Sequence, residues 1–265
     1  MVAFFSREDA GFVAGDFAVS RWSDQQVAGP AVCGLLAREL ETHSPGAGFI
    51  PARLTVDLFR PVLTEPITVH STVVRTGTRV RVADAWITQH DEVRVRASVM
   101  YLAAAEQPPG LVWQADAPLP VPEVRLDAPT GQPPLFKCGE QDWTGDFAAA
   151  QNGERKSMWQ NLPPLVEGEP ISGFQRAAFL GDTTNLVCNW GTEGVGFINS
   201  DVTLTLTRLP LGPEVGLHAQ DHISADGIAV GTATLYDRTG RIGTSVVTGL
   251  ANARRQVDMA DTALP

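Results

Sequence analysis

The sequence predicts an α+β protein built from two related halves, and three observations predict it: a repeat at one constant offset, the same order of elements in each half, and a proline-rich stretch between them. The segment FIPARLTVDLFR starts at Phe49 and FINSDVTLTLTR at Phe197, an offset of 197 − 49 = 148. At that offset Phe49, Ile50, Thr55, Leu58 and Arg60 coincide with Phe197, Ile198, Thr203, Leu206 and Arg208, and His70 coincides with His218 without a gap. The alternation Leu54, Val56, Leu58 recurs as Val202, Leu204, Leu206. A period this long is a duplicated small domain, not a solenoid unit.

In the first half, Gly29-Pro30 opens the helical run GPAVCGLLAREL. Proline suits the first helical position, where its missing N–H costs nothing. Val32, Leu35, Leu36 and Leu40 form an apolar stripe, and Ser44, Pro45, Gly46 and Gly48 end it. Alternating, strand-like runs follow at 53–59, 67–75, 78–88 and 93–102, punctuated by Thr76-Gly77 and His90-Asp91-Glu92. In the second half SGFQRAAFLGDTTNLV is the helical run, with strand-like runs at 200–207, 215–224, 227–236 and 242–251. Ala225-Asp226-Gly227 and Arg238-Thr239-Gly240 are hairpin signals. The stretch around Arg155–Leu162 supplies a first strand to this half.

Residues 103–134 hold eight of the chain's 19 prolines. They read as a semi-rigid, extended linker. The expected division is therefore an N-terminal half at 1–102, the linker at 103–134, a C-terminal half at 135–256 and a tail at 257–265.

Composition narrows the function. The chain of 265 residues is 43% apolar and 19% charged, enough to bury a core. It has no apolar run long enough to span a membrane. MVAFFSREDAGF lacks the basic and apolar regions of a signal peptide, and the three scattered cysteines Cys33, Cys138 and Cys188 show no spacing that suggests a disulfide framework or zinc site, so a cytoplasmic location is expected. A net charge of −10 disfavours nucleic acid and anionic membranes as partners. No G-x-S-x-G, Walker or complete dinucleotide motif is present. His218 and His222 lie on one predicted strand, about 13 Å apart, too far to share a metal. No cofactor and no metal are expected.

The stretches RWSDQQVAGPAVCGLLARELE, RLTVDLFRPV, LPPLVEGEPISGFQRAAFLGD, FINSDVTLTLTRLP and YDRTGRIG span most of the chain. In order and spacing they resemble the thioesterase-like superfamily of double hotdog proteins, which includes the acyl-CoA thioesterase II (TesB-like) enzymes. The resemblance implies a central helix in each half wrapped by an antiparallel sheet, an acyl-CoA site where the halves meet, and hydrolysis by an activated water without a covalent intermediate. It implies fatty acid metabolism as the setting and a homo-oligomer as the assembly. In such enzymes an Asp, a Thr or Ser, and a Gln hold the water, and backbone amides at a helix N-terminus polarise the carbonyl.

Carried over residue by residue, the Asp falls on Asp182, which sits in the apolar run AAFLGDTTNLV. A carboxylate there is costly to bury unless paired, which marks it for function; the competing reading is a helix-end residue beside Gly181. The hydroxyl position falls on Asn199, which can bond a water through donor and acceptor atoms, with Ser200 one residue away. The Gln position falls on Val247, which cannot hold a water; Thr248 is adjacent, although it should face the opposite side of its strand. Thr183 and Thr184 are further candidate helpers. Gly29, Val247 and Arg208 are the expected substrate contacts. Where relatives carry His-Gly-Gly-Pro, this chain has Val27-Ala28-Gly29-Pro30. Arg79, Arg81, Arg94, Arg96, Arg254 and Arg255 are candidates for an anion patch for CoA. The departure at Val247 keeps open a second reading, a non-catalytic or weakly catalytic acyl-CoA or acyl-ligand binding protein.

Overall fold

The computed structural model describes residues 2–8, 11–126 and 132–261. Residues 127–131 of the linker and 262–265 of the tail lie outside the described residues. In chain order the elements are β1 (Phe5–Glu8), β2 (Gly11–Ala14), α1 (Gly29–Glu41), β3 (Phe49–Leu58), β4 (Thr68–Thr76), β5 (Val80–Gln89), β6 (Glu92–Ala103), β7 (Leu135–Cys138), α2 (Phe147–Ala150), β8 (Lys156–Asn161), α3 (Gly173–Asn189), β9 (Trp190–Gly191), β10 (Gly194–Val195), β11 (Phe197–Leu206), β12 (Glu214–Ala225), β13 (Ile228–Asp237) and β14 (Gly240–Ala251). Both long helices and the eight long strands lie where hydrophobic periodicity places them. The short elements β1, β2, β7, α2, β9 and β10 carry too few residues to show a period.

One ten-stranded antiparallel sheet runs in the order β4-β5-β6-β3-β11-β14-β13-β12-β8-β7. Its two halves join where β3 pairs with β11, and there Thr55 lies opposite Thr203. These two residues are equivalents in the repeat, 203 − 55 = 148, so a local two-fold axis passes between them. The offset persists outward: His70 faces Trp86 and His218 faces Thr234, again 148 apart at both positions. The meander is therefore duplicated in register, each turn supplying its own geometry. His90 and Asp91 (φ 54° and 60°), and Asp226 and Gly227 (φ 51° and 78°), take the left-handed conformation that two-residue hairpins need.

The sheet wraps α1 and α3, and this double hotdog architecture puts one helix at the centre of each half. Leu35, Leu36 and Leu40 of α1 are at most 1% exposed. Each such side chain contributes about 1.5–3 kcal/mol of burial. α3 is buried almost all round, so its polar residues need internal partners: Ser172 caps it by accepting from the Gln175 N–H, and Ser245 on β14 donates to the Gly181 carbonyl at 2.9 Å.

Beyond Ala103, the last residue of β6, the described part of the linker holds no helix or strand, yet it is tied down. Tyr236 Oη donates to Pro120 O at 2.7 Å, and Arg238 donates to the carbonyls of Pro122 and Val124. Glu214 accepts from the Leu126 N–H, Trp159 Nε1 and Arg238. Burial pushes the Glu214 carboxyl up, but these donors outweigh it and hold its pKa at about 2. No described helix is long and apolar enough to cross a membrane.

Candidate active site

α1 and α3 run antiparallel and in contact, which brings the start of α1 beside the middle of α3. Asp182, at that midpoint, is 5% exposed. Its carboxylate lies so close to Gly29 that a Cβ built on Gly29 would sit 2.5 Å from Oδ2 and 2.9 Å from Oδ1. A side chain at position 29 would have to displace the carboxylate. On the other side, Asn199 Nδ2 donates to Asp182 Oδ1 at 2.9 Å and to the Asp182 carbonyl at 3.2 Å. These two bonds fix the amide's orientation and turn Asn199 Oδ1 away, where it is buried with no protein partner. Burial raises the Asp182 pKa to about 6, with the Asn199 bond opposing the rise. The group is thus ionised at neutral pH and close to the range in which a general base works best.

The first turn of α1 offers donors. Ala28 at the N-cap has no side-chain cap, its N–H is taken by the Ala18 carbonyl, and Pro30 has no N–H. The amides of Gly29 and Ala31 are therefore the ones the helix itself does not satisfy. The macrodipole adds positive potential at this end. Cys33, one turn further along α1, is not a nucleophile candidate: burial first, and then the Asp182 charge, push its thiol far above the ordinary range.

A cavity of about 520 Å³ opens onto Asp182, Gly29 and Asn199 at the junction of the two halves. Its interior is lined by apolar side chains that include Val32, Val62, Val95 and Leu186, with the half-buried Trp22, and Arg21, Phe59 and Arg60 stand at its exposed edge. The related place at the other end of the helix pair, where α3 begins, is filled. There Ser172 and Gln175 donate to the Glu41 carboxylate at 2.6 and 2.7 Å, and Arg38 pairs with Glu169 at 2.6 Å. The duplication is therefore broken at the site, and the open cavity belongs to the end that carries Asp182.

Three expected site residues come together and three do not. Asp182, Asn199 and Gly29 meet at the cavity. Val247 is fully buried and packs beside Gly231 on the sheet face turned toward α3, away from the cavity wall. Thr248 alternates to the opposite side of its strand and does not line the cavity; its hydroxyl meets Asp201 and the hydroxyl of Ser200, which does line it. Arg208 sits at the far end of β11, in a bidentate pair with the fully buried Asp237 carboxylate at 2.6 and 2.9 Å, which ties two loops together. These three positions correct the expected triad and substrate contacts. Thr183 lines the cavity while its hydroxyl donates to the Phe179 carbonyl; Thr184 is buried away from it. None of the six arginines expected to form an anion patch lines the cavity; Arg21 and Arg60 do. Arg60 belongs to the repeat as the equivalent of Arg208, but the repeat does not show which of the two copies lies at the open cavity.

Comparison with known proteins places these observations. The acyl-CoA thioesterase N-terminal domain profile matches residues 18–102, and the acyl-CoA thioesterase C-terminal domain profile matches residues 116–250. No curated protein sequence matches the chain. Among solved structures, the tesB protein of Mycobacterium avium subsp. paratuberculosis superposes with a TM-score of 0.65 at 16% identity, over 93% of this chain and 95% of that one. Acyl-CoA thioesterase II TesB2 of Mycobacterium marinum gives 0.61 at 15% identity, over 92% of each chain. A hot dog fold protein of Alicyclobacillus acidocaldarius gives 0.60 at 16% identity, over 94% and 96%. At these identities the structures speak for the fold, and the two profiles speak for the family. The chain belongs to the acyl-CoA thioesterase family, whose members are thioester hydrolases, and carries the two hotdog halves of that family in one polypeptide.

Proposed function

We propose that this protein hydrolyses an acyl-CoA to the free acid and CoA, by attack of a water activated at Asp182, with no covalent acyl-enzyme. The observation that carries the reading is the buried Asp182 carboxylate, held between Asn199 Nδ2 and the first turn of α1 on the wall of an apolar cavity. A water there has two protons to donate and two acceptors to take them, the carboxylate and Asn199 Oδ1, which leaves a lone pair for the thioester carbon. As the C–O bond forms, the proton passes to Asp182. The carbonyl oxygen gains charge, and the Gly29 and Ala31 amides stabilise it. Collapse of the tetrahedral intermediate breaks the C–S bond, and the proton on Asp182 leaves with the thiolate. Asn199 replaces the hydroxyl of the family pattern, and its amide supplies both the donor that orients the acid and the acceptor that orients the water.

Arg21 and Arg60 at the cavity edge, the latter 3.3 Å from the Glu92 carboxylate, place guanidinium groups where an anionic CoA moiety would enter a chain whose net charge is −10. Homo-oligomerisation is proposed alongside. Leu111, Val112 and Trp113 are 104%, 83% and 85% exposed, a run of apolar surface that association would cover.

Thiol release from acyl-CoAs of increasing chain length, on wild type and Asp182→Asn, tests the function. Release that depends on Asp182 supports the hydrolase. Tight acyl-CoA binding without release supports the acyl-ligand binding reading, and neither release nor binding overturns both.

A further inference from the structure

The described part of the tail, residues 257–261, is held against the fold. Val195 and Val257 exchange both backbone bonds, N to O at 2.9 and 3.0 Å, which adds a short bridge beyond β14. A Cβ on Gly194 would lie 2.3 Å from the Val257 carbonyl, so the contact is as close as a glycine allows. Gln151, after α2, then fastens the next two residues. Its Nε2 donates to Asp258 Oδ1 at 2.9 Å, and its Oε1 accepts the Met259 N–H at 2.9 Å and Trp190 Nε1 at 3.2 Å. Val257 and Met259 are 8% and 7% exposed, and both turn into the cavity that holds Asp182. They lie there with Leu186, one helical turn beyond Asp182 along α3, about 6 Å further along the axis.

We propose that this strap, Val257 to Met259 clipped by Gln151, is the wall that sets acyl-chain length in the cavity. The proposal rests on the thioesterase reading for its substrate class, but its geometry does not depend on turnover. A wall made by a flexible thioether side chain on a clipped strap is adjustable. Methionine carries three heavy atoms beyond Cβ and adapts its shape to what it packs against. Removing them lengthens the cavity by the room of about two or three methylenes, provided the surroundings do not collapse into the space. Gln151 acts only through the strap and is a positioning residue.

The test separates binding from hydrolysis. S-alkyl-CoA thioethers, from butyl to stearyl, cannot be hydrolysed; their affinities are measured by calorimetry on wild type, Met259→Ala, Met259→Phe and Gln151→Ala, beside hydrolysis of the matching acyl-CoAs. Met158→Ala serves as a control, because Met158 is also buried, in the core away from the cavity. The expected result is a best-bound chain longer by about two or three carbons in Met259→Ala, shorter in Met259→Phe, broadened in Gln151→Ala, and unmoved in Met158→Ala. An optimum that stays in place in both folded Met259 variants, or wild type that shows no chain-length preference, overturns the proposal. Should the thioether optimum move while no variant and no wild type releases thiol, the wall stands and the hydrolase reading falls.

Discussion

Replacing Asp182 by Asn should make the protein inactive and more stable at once, and the size of the second effect follows from the structure. The substitution preserves shape, and the new amide oxygen can still accept from Asn199 Nδ2. What it removes is a buried negative charge. The pKa of Asp182 is raised by burial from the ordinary 3.8 to about 6. At about 1.36 kcal/mol for each tenfold step in proton affinity, that rise corresponds to about 3 kcal/mol. The sign is set by which state holds the proton longer. Between pH 4 and 6, roughly, the native state binds more protons than the unfolded state, so wild-type stability falls as pH rises through that window. Above it the full penalty is present; below it none is. Asparagine carries no charge at any pH, so Asp182→Asn should exceed wild type by up to about 3 kcal/mol at pH 8 and converge with it near pH 4. Urea unfolding at several pH values measures the gap, and thiol release on the same samples should fall by about 100-fold or more. A gap that does not change with pH would show that burial of the charge is not what shifts this group. A folded variant with wild-type turnover would remove Asp182 from the mechanism.

Other predictions follow from neighbouring contacts. Gly29→Ala should expel the Asp182 carboxylate from the first turn of α1 and abolish turnover, read as a collapse of kcat in a protein whose circular dichroism is unchanged; preserved kcat would mean that the approach of helix and acid is not needed. In wild type, kcat should rise with pH through an apparent value near 6, because the base must be ionised, and a flat profile from pH 5 to 8 would contradict this role. Val247→Gln should gain no activity and cost about 1–3 kcal/mol, since it places an amide in an apolar, fully buried position; a gain in turnover would mean that this strand face communicates with the cavity. Glu214→Gln should lower Tm above pH 5 and open residues 119–126 to proteolysis. The depressed Glu214 pKa makes its contribution present above the ordinary carboxylate value and lost as pH falls toward about 2, so the difference from wild type should vanish in acid.

Much of the fold was legible because it is repeated and periodic. Alternation along β3 and β11 announced strands buried on one face, Gly29-Pro30 announced a helix start, and the 148-residue offset announced two copies of one plan. The same alternation already argued that Val247 and Thr248 face opposite sides of β14, which is the reason Thr248 could not join Asp182. Asp182 itself stood out as a charge in an apolar run, a local signal that survives without neighbours. What the sequence could not show was any relation between parts of the chain that carry no shared pattern. That Gly29 touches the Asp182 carboxylate depends on two helices packing antiparallel. That Arg208 is spent on Asp237 depends on two loops meeting at one end of the sheet. That Glu41 fills one of two related helix junctions, leaving the other open, depends on side chains 131 and 134 residues apart in sequence. And the tail from Val257 to Met259, which reads as a bare end, becomes a cavity wall only because β10 and Gln151 are positioned to hold it. Periodic burial is written locally, along each element, so the sequence by itself determined the long elements and the duplication and singled out a carboxylate in an apolar run; which of those elements close around one cavity is a property of long-range packing, and the tertiary structure alone decided it.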